Sequence, residues 1–116
     1  MFKIVAPKLL KNFNGMSIFI FIFLKDKSKL NDHVLINHEL VHFHQQVEMG
    51  FIFHWILYGI FYLIKRLATK DHYKAYRQNP FEHEAYDNES NLTYLFERKP
   101  YAWIKYVIPF FKNLKK

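Results

Sequence analysis

The sequence predicts an α+β domain, mostly α, with a short N-terminal β-hairpin or edge strand followed by about four helices. Three observations predict it. An unbroken run of β-branched and aromatic residues, "MSIFIFIFL", stands near the N-terminus. From residue 33 onward the chain reads as helical segments separated by caps and breakers. The first of those segments, central to the arrangement, carries the string HELVH, an H-E-x-x-H motif. With 116 residues the chain can build one modest core, so residues 1–116 are read as a single domain.

Taken in order, Pro7 keeps the first residues irregular or at a sheet edge. Asn14-Gly15 is a hairpin-type turn signal, and Met16 to Leu24 follows it as one strand. "KDKSKLND" is a polar loop of turn formers. Asn31 or Asp32 caps a helix that begins near His33 and ends at Gly50. Within it Ile36, Leu40, Phe43 and Val47 fall at i, i+4, i+7 and i+11, one buried stripe. A second helix, Phe51 to about Ala68, is apolar nearly all round and is expected to be largely buried. Thr69 or Asp71 caps a short helix through Tyr76. Asn79-Pro80 opens another, with Asn as cap and Pro at the first helical position, and it runs to about Arg98. Pro100 breaks the chain, and Tyr101 to Leu114 forms a last helix bent or interrupted at Pro109.

Composition narrows the function classes. A chain that is 51% hydrophobic and 20% aromatic is too apolar to be disordered. It has no cysteine, so any metal must sit on His, Asp or Glu. The net charge of +7 suits an acidic partner or an anionic membrane. The lysines are scattered, however, and no RNA-binding signature or zinc-finger spacing accompanies them, so no nucleic-acid role is expected. Phe51 to Ile64 is an apolar run of 14 residues, interrupted by His54 and closed by Lys65 and Arg66. A bilayer core needs about 20 residues in a helix, so this segment reads as buried or interfacial. Its aromatics and basic end suit a peripheral membrane contact. Ile18 to Leu24, with Lys3, Lys8 and Lys11 before it, looks like a signal peptide without an A-x-A-like cleavage site. A cytoplasmic or peripherally membrane-associated location is the expectation.

The chemistry lies in HELVH. His38 and His42 are four apart, on one helical face and about one turn separated, which lets two imidazoles share one Zn²⁺. Glu39 beside them can serve as general base toward a water. At about 100° per residue the apolar stripe lies roughly opposite both histidines, which then point into a cleft. Zinc needs a third protein ligand. The metzincin continuation would put Gly at 45 and His at 48, where this chain has Gln45 and Glu48. His44 lies on a different face and reads as a surface residue or one that supports a ligand from behind. "NPFEHEAYDNE" offers Glu82 and Glu84, which are two apart and cannot both face one metal. Glu82 has a competing use, completing a capping box with Asn79. Glu84 has one as a solvated surface carboxylate.

"NHELVHFHQQVEMG" followed by "YRQNPFEHEAYDNE" resembles a family of small gluzincin-like proteins found mainly in Bacteroidetes. Their pattern is a Phe-Ile-Phe strand, an H-E-x-x-H helix ending in Gln-Gln, an apolar helix, and a Phe-Glu-x-Glu-Ala-Tyr helix. The likeness spans about residues 15–105. More distantly the chain is similar to membrane metalloproteases of the gluzincin type, which carry Glu-x-x-x-Asp with the first Glu on zinc. The resemblance implies Glu82 as the ligand, with Glu84 as the alternative, and places Tyr86 where the Asp would be. That Asp orients a zinc histidine, so its replacement leaves the role open. Tyr86 can instead donate a hydrogen bond to a substrate oxyanion, as can His83 or His72. The resemblance also implies a minimal gluzincin-like domain in which the strand Met16 to Leu24 lies at the edge and pairs with an extended peptide; the alternative is an internal strand of a small sheet.

The expected function is therefore zinc-dependent hydrolysis of a peptide or protein substrate. His38, His42 and Glu82 hold the metal and Glu39 acts as base. The alternative is a non-catalytic zinc-binding or membrane-associated module that retains the fold.

Overall fold

The computed structural model describes residues 2–5, 15–18, 21–25 and 27–116. Three strands form one sheet: β1 (Phe2–Val5), β2 (Gly15–Ile18) and β3 (Phe21–Leu24), in the order β1-β3-β2. β1 runs parallel to β3 with Phe2 opposite Phe21, and β2 runs antiparallel with Gly15 opposite Leu24. Ile22 and Leu24, alternate residues of the middle strand, point to one face and are fully buried. They pack on Ile36, with Leu30, Leu35 and Leu40 around them.

The helices are α1 (His33–Glu48), α2 (Ile52–Thr69), α3 (His72–Arg77), α4 (Pro80–Asn88), α5 (Tyr94–Glu97) and α6 (Val107–Lys112). Short 3₁₀ turns cover Lys27–Asn31 and Ala102–Tyr106. Asp32 caps α1 by accepting from the Leu35 amide at 3.0 Å, and Asp71 caps α3 by accepting from Lys74 at 3.1 Å. α1 runs between two layers. The sheet covers one side, and a second core of Phe61, Phe81, Trp103 and Phe110 lies with α2, α4 and the C-terminal segment. Gly50 (φ +72°) and Phe51 (φ +58°) are both left-handed, which turns α2 back through 113° against α1. No single helix among the described residues is long and apolar enough to cross a membrane.

The mostly α expectation holds, with corrections in the elements. The nine-residue strand from Met16 to Leu24 is two strands of a hairpin, β2 and β3. An unbroken apolar run contains no turn former to mark where it doubles back, and the hairpin signal Asn14-Gly15 instead leads into β2. Asn14 and Pro7 lie outside the described residues. The helix expected from Asn79 to Arg98 stops at Asn88 and resumes only as α5. Asn37 of α1 is the cause: its side-chain amide donates to the carbonyls of Asn88, Glu89 and Asn91 at 3.2, 2.8 and 3.1 Å, drawing the chain into a turn. The last helix is interrupted at Tyr106 and not at Pro109. Pro109 stands in the first turn of α6, where a missing N–H costs nothing. The buried stripe of α1 is also redrawn. Val47 is exposed, whereas Asn37, His38, Glu39, His42, Gln45 and Gln46 are buried. α2 is likewise buried along one side only.

Candidate metal centre

His38, Glu39 and His42 form a buried group whose ligand atoms lie within 4.8 Å of one another, a group able to hold a metal ion. Glu82 of α4 reaches the same point. Its Oε1 lies 2.9 Å from His38 Nε2 and 2.9 Å from His42 Nε2, and the two Nε2 atoms are 3.2 Å apart. The competing use of Glu82, a capping box with Asn79, is not formed. Asn79 caps α4 through its own Oδ1, accepting from Phe81, and the Glu82 carboxylate turns inward. Its second oxygen accepts from the Tyr58 hydroxyl at 2.7 Å, which fixes the carboxylate from the α2 side.

The Gln45 amide decides which ring nitrogen of His42 carries a proton. Its Nε2 donates to the Phe81 carbonyl and to the Glu84 carboxylate, both at 3.0 Å, and neither partner can donate in return. Its Oε1 therefore faces His42 Nδ1, 2.9 Å away, and Nδ1 must be the donor. His38 Nδ1 lies 2.8 Å from the Glu89 carboxylate and donates likewise. Each neutral ring then turns an Nε2 lone pair toward Glu82 Oε1. Three electron-pair donors facing one point repel unless a cation or a proton stands among them. Without metal a proton serves. Burial alone would lower His42, but the Glu82 carboxylate beside it prevails and raises it to about 10. Burial would likewise raise Glu82, and the two histidines instead hold it well below the ordinary carboxylate range. A divalent ion satisfies the same three atoms at once. The donor set, with a carboxylate and an amide orienting the two imidazoles from behind, fits one.

Glu84 faces elsewhere. Arg98 donates to both its oxygens at 2.5 and 3.1 Å, and the Tyr94 hydroxyl adds a bond at 2.6 Å. Burial would raise this carboxyl, and the bonds from Arg98, Tyr94 and Gln45 outweigh it and lower it. Glu84 is thus neither a solvated surface group nor near the convergence point. It reaches His42 only through Gln45.

A cleft of about 470 Å³ opens beside the histidines. Glu39 and His38 lie on its wall with Tyr76, Tyr86, His72 and Gly15 of β2. Burial pushes the Glu39 carboxyl up despite both histidines. The Tyr86 ring stands edge-on to His38 at 4.5 Å, its hydroxyl 2.6 Å from that of Tyr76. His83 is directed away, packed on the Tyr106 ring at 4.4 Å and 3.6 Å from Asp87. His44 is exposed, as expected.

Sequence reasoning missed Glu89, Gln45, Tyr58 and Tyr76. Two of them carried a signal. Glu82, Tyr86 and Glu89 fall at i, i+4 and i+7, and His42 and Gln45 at i and i+3, so each set shares a helical face. The histidine-orienting carboxylate sought at position 86 stands three residues later. No family model matches the chain, and no curated protein or solved structure matches it either.

Proposed function

We propose that the chain is a zinc-dependent metallopeptidase-like hydrolase of peptide bonds. The observation that carries this reading is the meeting of His38 Nε2, His42 Nε2 and Glu82 Oε1 within 3.2 Å of one another, with His38 and Glu39 on the wall of an open cleft. His38, His42 and Glu82 would hold the metal. Zinc, when bound there, supplies Lewis-acid polarisation of a carbonyl and acidifies a water. Glu39 lies on the cleft wall beside the ligands, and its burial raises it toward the range in which a carboxylate takes and returns protons. In this reading Glu39 accepts a proton from the attacking water and passes it to the leaving amine. In this reading the Tyr86 hydroxyl, bonded to that of Tyr76 on the same wall, donates to an oxyanion. Among the described residues β2 is an edge strand, and Gly15 borders the cleft, so an extended peptide can pair with its outer side. The resemblance to small gluzincin-like proteins points the same way.

Metal analysis and one substitution test the proposal. The purified chain supplied with zinc is expected to retain about one ion per molecule. Glu39→Gln is expected to keep that ion and lose about 10²–10⁴-fold in cleavage of an unfolded peptide substrate. A chain that never takes up zinc, or a Glu39→Gln variant that cleaves like wild type, overturns it. The second reading, a non-catalytic zinc-binding module, draws on the burial of Glu39, only 3% exposed. Bound zinc with no cleavage of any peptide by the wild-type chain favours that reading.

A further inference from the structure

α2 presents two unlike sides. Inward it sends Tyr58 to Glu82, and Phe61 and Lys65 into the core. Outward, Ile52, Phe53, Ile56, Ile60, Leu63 and Leu67 are all exposed, Phe53 and Leu67 by about 70%. At 100° per residue these six fall in one arc of roughly 100°, and no polar side chain of α2 shares it. Gly59 borders the arc with open space above it. A surface helix whose outward arc holds no polar group is built to be covered.

Charge identifies the cover. From Met49 to Lys70 the chain has no Asp or Glu, and its cations are Lys65, Arg66 and Lys70. From Lys99 to Lys116 it again has no acid, and it carries five lysines, all exposed. The two segments are packed together. Phe61 meets Phe110 at 5.2 Å, and the buried Lys65 ammonium donates to the Asn113 carbonyl at 2.5 Å. Six of the ten acidic residues lie instead between Asp71 and Glu97, the stretch that carries Glu82 and Glu89 to the site. The two packed segments therefore carry lysines and one arginine but no acid of their own. A second copy would bring like charges together, and a nucleic acid would leave the apolar arc unmatched. An anionic lipid surface satisfies both features.

We propose that the outer face of α2, flanked by Arg66 and Lys70 and backed by the cationic C-terminal segment, docks on an anionic bilayer, α2 lying in the plane of the interface. The full-length chain is mixed with phosphatidylcholine vesicles with and without phosphatidylglycerol, and flotation is measured. It should float with the anionic vesicles and less so as salt rises. Ile56→Glu/Leu63→Glu alters only exposed positions, so its melting curve should stay near wild type while binding falls at least about tenfold. Lys112→Glu/Lys115→Glu/Lys116→Glu should also weaken flotation. No flotation of the wild type at low salt, equal flotation with pure phosphatidylcholine, or undiminished flotation of the Ile56→Glu/Leu63→Glu variant would falsify the proposal. A stable dimer that this variant splits, seen by sedimentation, assigns the face to a second copy and overturns it as well.

Discussion

Glu82 and Glu84 stand two residues apart and are used in opposite ways. Glu82 meets two histidines, and Glu84 meets an arginine. Their substitutions should fail differently. Glu82→Gln is expected to abolish zinc uptake. Glu84→Gln should weaken it by no more than about 10–100-fold, since Glu84 acts through Gln45. It should instead destabilise the fold by about 3 kcal/mol, the low end for breaking a buried pair because Arg98 keeps Glu48. Chelator competition and urea unfolding measure the two effects, and equal loss of zinc in both variants would refute the distinction. The pH dependence follows. The Glu84 carboxyl is lowered from 4.5, so its stabilisation is complete at neutral pH and is lost as pH falls below that value. The H-E-x-x-H pair and the parity of the two glutamates were legible in the sequence. Which glutamate faces the histidines was implied by the resemblance but not by the spacing, because Arg98 and Gln45 approach Glu84 from other elements.

Among the elements, caps were readable and interruptions were not. Asp32, Asp71 and Asn79 cap helices as their local chemistry requires. The end of α4 is set by Asn37, about fifty residues away in the chain, and no local pattern encodes such a bond. The β2–β3 hairpin hides for the opposite reason: its residues are all good strand formers, with nothing between them to break the run. Asn37 also holds the turn bearing Glu89, the carboxylate on His38 Nδ1. Asn37→Ala is therefore expected to cost about 2 kcal/mol from its lost hydrogen bonds and to loosen zinc binding as well. Hydrogen exchange at the Asn91 and Tyr94 amides, both bonded within this turn, should accelerate. Unchanged exchange there would show that the turn stands without Asn37.

At the scale of the whole molecule, the two acid-free stretches, 49–70 and 99–116, meet in the fold, while six of the ten acids lie between Asp71 and Glu97. Only the packing of the C-terminal segment against α2 makes that separation visible. The site also joins α1, α2 and α4 at one point, so an ion bound there should tie the domain together. At about 100 times its dissociation constant zinc should add about 2.7 kcal/mol to stability. For a domain of this size that raises Tm by about 10–15 °C, and a chelator should reverse it. Calorimetry with and without zinc checks this, and an unchanged Tm argues against a site preformed in the fold.

Gly59 gives the chain a practical opening. It is a helix-interior glycine with nothing within 4 Å of an added Cβ, in a sequence without cysteine. A thiol placed there by Gly59→Cys would be the only one in the molecule. It should tend to strengthen the helix, since glycine is the weaker helix former. A single spin label or fluorophore on that thiol would sit beside the outward arc of the helix whose inner side holds Glu82, and could report from outside what happens within.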